Sequence, residues 1–228
     1  MSVAEADAEL IYVADVMCSW CWGFAPTVER LRDELALPVT VINGGLRPGD
    51  SAESMTPKMA DFLRGCWTQV GEASGQPFDF AGLERPSSWR YDTEPAARLV
   101  ATVRELAPAA ALPVFHRLQE AFYAENVDVV DPSTWEALLT GLVDDPAGVA
   151  AAAMEDVGQA RAWRDFSQAR AWGITGFPCL LLRLGDQLTL VTRGWAPADP
   201  VVDGVRAYLD EQGVALPEGA VCAPGGAC

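Results

Sequence analysis

Leu10-Ile11-Tyr12-Val13-Ala14-Asp15-Val16-Met17-Cys18-Ser19-Trp20-Cys21-Trp22-Gly23-Phe24-Ala25-Pro26 decides how this chain folds. Residues 10–16 form a short apolar and β-branched run, enough for one buried strand and too short for a helix. Two cysteines follow at once, separated by Ser19 and Trp20. From 19 to about 35 the apolar residues Trp22, Phe24, Ala25, Val28, Leu31 and Leu35 recur at three- and four-residue steps, with charged residues between them. That spacing predicts an amphipathic helix, and Pro26 inside it is expected to kink it one turn after the cysteines. Residues 38–42 then predict a second strand, closed by Asn43-Gly44-Gly45. The opening is therefore β-α-β, two parallel strands joined by a crossover helix.

Further along, the strand signal disappears between 51 and 172 and helix signatures replace it. Thr93 is expected to cap a helix carrying Leu99, Val103 and Leu106 inward; Asp131-Pro132 and Asp145-Pro146 open two more. After Gly173 the pattern reverts. Leu180-Leu181-Leu182 and Leu188-Thr189-Leu190-Val191, on either side of a Gly185-Asp186 turn, predict a hairpin. Asp199-Pro200 is expected to cap a final helix. The chain is thus read as an α/β domain in two parts, 1–50 and 173–212, interrupted by an all-helical insertion over 51–172. A Gly/Pro/Ala-rich tail over 213–228 carries Cys222 and Cys228.

Composition narrows the function. At 228 residues, half of them apolar, the chain can bury a substantial core. Sixteen Lys and Arg stand against 32 Asp and Glu, and a net charge of −16 opposes any phosphate backbone or anionic membrane surface. Neither nucleic acid nor membrane is expected as a partner. Residues 1–9 include Glu5, Asp7 and Glu9 and no basic residue, which is not the pattern of a secretory signal. No stretch approaches the roughly 18 to 20 apolar residues of a membrane span. A cytoplasmic location is expected, where thiols are kept reduced and paired cysteines serve as metal ligands or redox catalysts.

Cys18 and Cys21, two residues apart, can close a disulfide on the first turn of a helix. Free N–H groups and the positive pole of the helix stabilise a thiolate there, and cysteines so placed titrate between roughly 3.5 and 7.5. Cys18 is then the attacking nucleophile and Cys21 the thiol that resolves the mixed disulfide. The competing reading is half a zinc site. It needs two more ligands, and the sequence offers only His116 and the widely spaced Cys222 and Cys228, so no metal is expected. Farther on, Gly176-Phe177-Pro178 stands directly before a buried strand; a cis bond there presents the Phe177 backbone to an extended peptide. Trp20 and Trp22 are candidate substrate contacts, with packing under the insertion as the alternative. Asp15 is a candidate for proton transfer, or a turn residue at the strand end. Cys66 and Cys179 are expected to be buried and inert, and His116 to lie on the surface beside Glu120. Cys222 and Cys228 are candidates for an auxiliary redox pair, or two idle thiols.

The active stretch from 15 to 24, Pro26 and Gly176-Phe177-Pro178 together resemble the thioredoxin superfamily, and within it the DsbA-like branch with a large helical insertion, FrnE-like dithiol-disulfide oxidoreductases in particular. The resemblance spans most of the chain. It implies Cys18 as nucleophile, Cys21 as resolving thiol, and Pro178 as a cis-proline facing them. It implies disulfide reduction or isomerisation on protein or peptide substrates, with no bound cofactor, glutathione or a thioredoxin-type reductant as electron donor, and a recycling reductase as partner. Kappa-type glutathione transferases and 2-hydroxychromene-2-carboxylate isomerases share the architecture but usually carry a serine where this chain keeps its cysteines. A glutathione-dependent transferase or isomerase is therefore the alternative activity, and a thiol-independent holdase a third. The chain departs from the pattern at Tyr12, where thioredoxin keeps a buried aspartate, and in its Ser19-Trp20 dipeptide.

Overall fold

β1 (Ala8–Ala14) is an inner strand of a four-stranded sheet. The structure, a computed structural model, describes residues 8–214 and 216. β1 runs parallel to β2 (Val39–Asn43) and antiparallel to β5 (Cys179–Leu184), which pairs in turn with β6 (Gln187–Arg193). Helix α1 (Ser19–Leu35) makes the crossover from β1 to β2, and it continues through Pro26. The sheet and its helices form the α/β, thioredoxin-like arrangement that the sequence predicts.

Side-chain alternation along β1 divides the core between the two faces of the sheet. Leu10, Tyr12 and Ala14 join Phe24, Val28 and Leu31 of α1, and Val202, Val205 and Leu209 of the final helix α8 (Ala198–Glu211), in the main apolar core. Ile11 and Val13 face the other way, against Ala169, Ile174 and Leu181.

Between β2 and β5 lie α2 (Pro57–Ser74), α3 (Glu94–Leu106), α4 (Ala111–Tyr123), α5 (Trp135–Leu139), α6 (Pro146–Met154) and α7 (Asp156–Ala171). This stretch is not wholly helical. β3 (Glu53–Ser54) and β4 (Arg90–Tyr91) form a two-stranded ribbon, too short to show a period of two in sequence. Asp145 caps α6 as expected, its carboxylate accepting from Gly148 N at 2.9 Å. Thr93 stands at the N-cap of α3 as expected, but its hydroxyl accepts from Arg47 N at 3.2 Å, while Asp92 takes the Glu94 amide at 3.0 Å. The last cap differs. α8 begins at Ala198, so Asp199 sits inside its first turn and binds Arg30 at 2.6 Å. Leu106, expected inward, is half exposed at the end of α3. Aromatic rings fill the helical layer: Phe122 meets Tyr123 edge-on at 4.9 Å and Trp67 meets Phe78 at 5.4 Å. Among the described residues, no helix is long and apolar enough to cross a membrane.

Candidate active site

The sheet register brings four distant segments to one edge. Ala14, at the end of β1, pairs with Asn43 at the end of β2, and Val13 pairs with Cys179 at the start of β5. Cys179 pairs in turn with Arg193 at the end of β6. The turn over 15–18, Gly44, Phe177-Pro178 and Gly194-Trp195 therefore converge.

The turn is fixed by backbone bonds. Cys18 N donates to Asp15 O at 3.1 Å, and the Asp15 carboxylate accepts from Met17 N at 2.9 Å and from Leu46 N at 2.7 Å. Asp15 is buried, which raises its pKa against the opposing pull of those two amides. One carboxylate oxygen thus holds the turn and the other the loop after β2, and the residue also lies close to Cys21.

Cys18 occupies the N-cap of α1 with extended backbone, and its carbonyl accepts from Cys21 N at 2.9 Å and Trp22 N at 3.1 Å. The preceding amides of the first turn have no intrahelical partner, so the helix presents its positive pole where Cys18 sits. The Cys18 thiol donates to the Phe177 carbonyl oxygen at 3.6 Å, and the Phe177-Pro178 peptide bond is cis. Cys18 retains 7% of its surface; Cys21 retains none. Both are free thiols. Burial pushes the Cys21 thiol well up, and the neighbouring Cys18 adds to the shift.

Trp20 lies 6.0 Å from Trp195 between ring centroids, and with Phe177 and Gly194 these rings line a cavity of about 260 Å³ beside the pair. Trp195 is anchored by its indole N–H, which donates to Gly23 O at 3.0 Å, while Gly194 N donates to Pro178 O at 2.7 Å. The Phe177 ring lies over Gly44, where a Cβ would stand 2.1 Å from its Cε1. Trp22 is not part of this lip: it is buried, stacked on Tyr123 at 6.3 Å, and its indole donates to Pro77 O at 3.0 Å. It borders a different cavity of about 420 Å³ that also touches Glu29, Gln76 and His116.

Several expectations are corrected. His116 does not lie on the surface with Glu120; it is buried, and its Nδ1 is 2.9 Å from Glu29 on α1. Cys66 is only half buried, whereas Cys179 is fully buried in the smaller apolar cluster. Cys222 and Cys228 lie outside the described residues. Sequence reasoning missed Trp195 and the buried hydroxyls of Tyr12, Tyr91 and Tyr123 around the pair. Tyr12 donates to Cys21 O at 3.2 Å and Tyr91 to Met17 O. Trp195 was available from the hairpin: a strand paired with the one after Pro178 must end beside Pro178. Among the described residues, no three His, Cys, Asp or Glu side chains converge as metal ligands would.

No protein-family model and no curated protein matches the chain. Solved structures do. A candidate protein disulfide isomerase from Nitrosomonas europaea is 32% identical, with a TM-score of 0.78 over 90% of this chain and 98% of that one. The cytosolic disulfide reductase DsbM from Pseudomonas aeruginosa is 24% identical, with a TM-score of 0.73 over 90% of this chain and 98% of that one. In its complex with GSH the figures are 23% and 0.72, over the same shares. A 2-hydroxychromene-2-carboxylate isomerase shares the fold at 14% identity and a TM-score of 0.62, over 90% of this chain and 97% of that one.

Proposed function

Since the chain belongs to the DsbA-like thiol–disulfide oxidoreductases of the thioredoxin superfamily, we propose that it reduces or isomerises protein and peptide disulfides through Cys18 and Cys21. The observation that carries this reading is the Cys18 thiol at the tip of α1, 3.6 Å from the Phe177 carbonyl, with a second, fully buried thiol one turn inward. Cys18, as thiolate, attacks one sulfur of the substrate disulfide; the S–S bond breaks and the departing thiolate takes up a proton. Cys21 then loses its proton and attacks Cys18 Sγ, releasing the second substrate thiol and leaving the enzyme pair oxidised by two electrons. Phe177 and Pro178 hold the substrate backbone, and Trp20 meets its side chains. Glutathione or a thioredoxin-type reductase returns the electrons. The DsbM neighbour is described as cytosolic and was solved with GSH, which supports a cytoplasmic reductant and location here. Cys222 and Cys228 are proposed as an auxiliary exchanging pair.

Cys18→Ser is expected to abolish insulin reduction in the presence of glutathione. Cys21→Ser is expected to leave a stable mixed disulfide on Cys18, visible by mass spectrometry. Full turnover by Cys18→Ser overturns the assignment. The fold shared with the chromene-carboxylate isomerase and the cavity beneath the insertion favour a second reading, a glutathione-dependent isomerase or transferase of a small organic molecule. Activity on such a compound that survives Cys21→Ser selects it.

A further inference from the structure

Tyr12 sits in β1 with no solvent exposure, its ring held by Phe24 at 6.1 Å and edge-on by Phe115 at 5.6 Å. That packing fixes the hydroxyl, which donates to the Cys21 carbonyl oxygen at 3.2 Å. The ionisable groups facing Cys21 are Cys18 from α1, Tyr12 from β1, Asp15 from the turn after it and Tyr123 from α4. Asp15 is poorly suited to help a thiolate form there, because its oxygens are engaged by Met17 and Leu46 and its charge repels the sulfur. An O–H donor is suited to it, since hydrogen bonds to an ionised acceptor are the strong ones.

We infer that Tyr12 is the positioning residue for the resolving thiol: its O–H rotates from the Cys21 carbonyl to the thiolate that Cys21 becomes before it attacks, and steadies it with a hydrogen bond. This rests on the oxidoreductase reading above. In the step, the Cys21 proton passes to the departing substrate sulfur, the Cys21–Cys18 bond forms as the Cys18–substrate bond breaks, and Tyr12 keeps its own proton. Burial pushes the Tyr12 phenol far above its ordinary range, so it remains a donor through neutral pH.

The test uses the reduced, full-length protein and the probe 4,4′-dithiodipyridine, followed by quenched mass spectrometry of the peptide bearing Cys18 and Cys21 so that Cys66, Cys179, Cys222 and Cys228 are not counted: one thiopyridone leaves when Cys18 attacks the probe and a second when Cys21 resolves the adduct. In Tyr12→Phe, which removes one oxygen and keeps the ring, the first phase should match the wild type. The second should slow about tenfold, the loss expected for one charge-assisted hydrogen bond, with its pH profile moved upward. An unchanged second phase and profile overturn the assignment. Should that variant fail to fold, 3-fluorotyrosine at position 12 decides. Its stronger donor should move the second-phase profile to lower pH, and an unmoved profile overturns the assignment. A wild type that releases only one equivalent sinks the oxidoreductase reading itself, and Tyr12's role with it.

Discussion

Cys21 couples the site to stability as well as to chemistry. Burial raises its pKa, with Cys18 reinforcing the shift, so the folded, reduced protein keeps this proton at pH values where the unfolded chain has released it. An ordinary cysteine titrates near about 8.5. Above that pH the unfolded state binds fewer protons than the folded one, and stability falls as pH rises, by up to about 1.4 kcal/mol per pH unit for one such group. The contribution is intact below the unfolded value and lost on the way up to the folded one. Thermal melts under reductant should therefore show the wild type losing Tm between about pH 8.5 and 10 more steeply than Cys21→Ser. Parallel slopes would mean that the buried thiol does not set this dependence.

Among the elements, the helical layer is tied to the sheet edge by an ion pair whose carboxylate is buried and whose guanidinium is part-buried. Arg104 on α3 meets Asp165 on α7 through two bonds of 2.7 Å. Asp165 also accepts from the Asn43 backbone at 3.1 Å and its side-chain amide at 2.7 Å. The next residues are Gly44, beneath the Phe177 ring, and Gly45, where φ is +76° and Phe166 leaves no room for a Cβ. Asp165→Ala leaves Arg104 without its counter-charge and should cost about 3–5 kcal/mol in urea unfolding, the range for breaking a buried pair; a loss below about 1 kcal/mol would class the pair with surface bridges. This clamp was not legible in the sequence, because its partners lie 61 and 122 residues apart and carry no local signature. The β-α-β opening, the cysteine turn and the 180–191 hairpin were legible, because periodicity and turn residues are local signals. His116 shows the limit: its neighbours in sequence suggested a solvated face, and only the packing of α4 on α1 reveals Glu29 as its partner.

For the molecule as a whole, the net charge of −16 acts on every encounter. Raising ionic strength from about 0.01 M to about 0.15 M shortens the screening length from about 30 Å to about 8 Å. Mixed-disulfide formation with an acidic peptide should accelerate over that range, and with a basic peptide of the same length it should slow. Equal salt responses would show that the field at Cys18 does not follow the overall charge. The joining of residues 159 apart, through the Cys18 thiol and the Phe177 carbonyl, also has a meaning for biosynthesis. A ribosome adding about 5–20 residues per second emits the first two thiols roughly 10 to 30 s before the loop that faces them. During that interval the nascent chain carries sulfur without the partner segment that completes the pocket, so its catalytic competence is timed by translation of its last quarter.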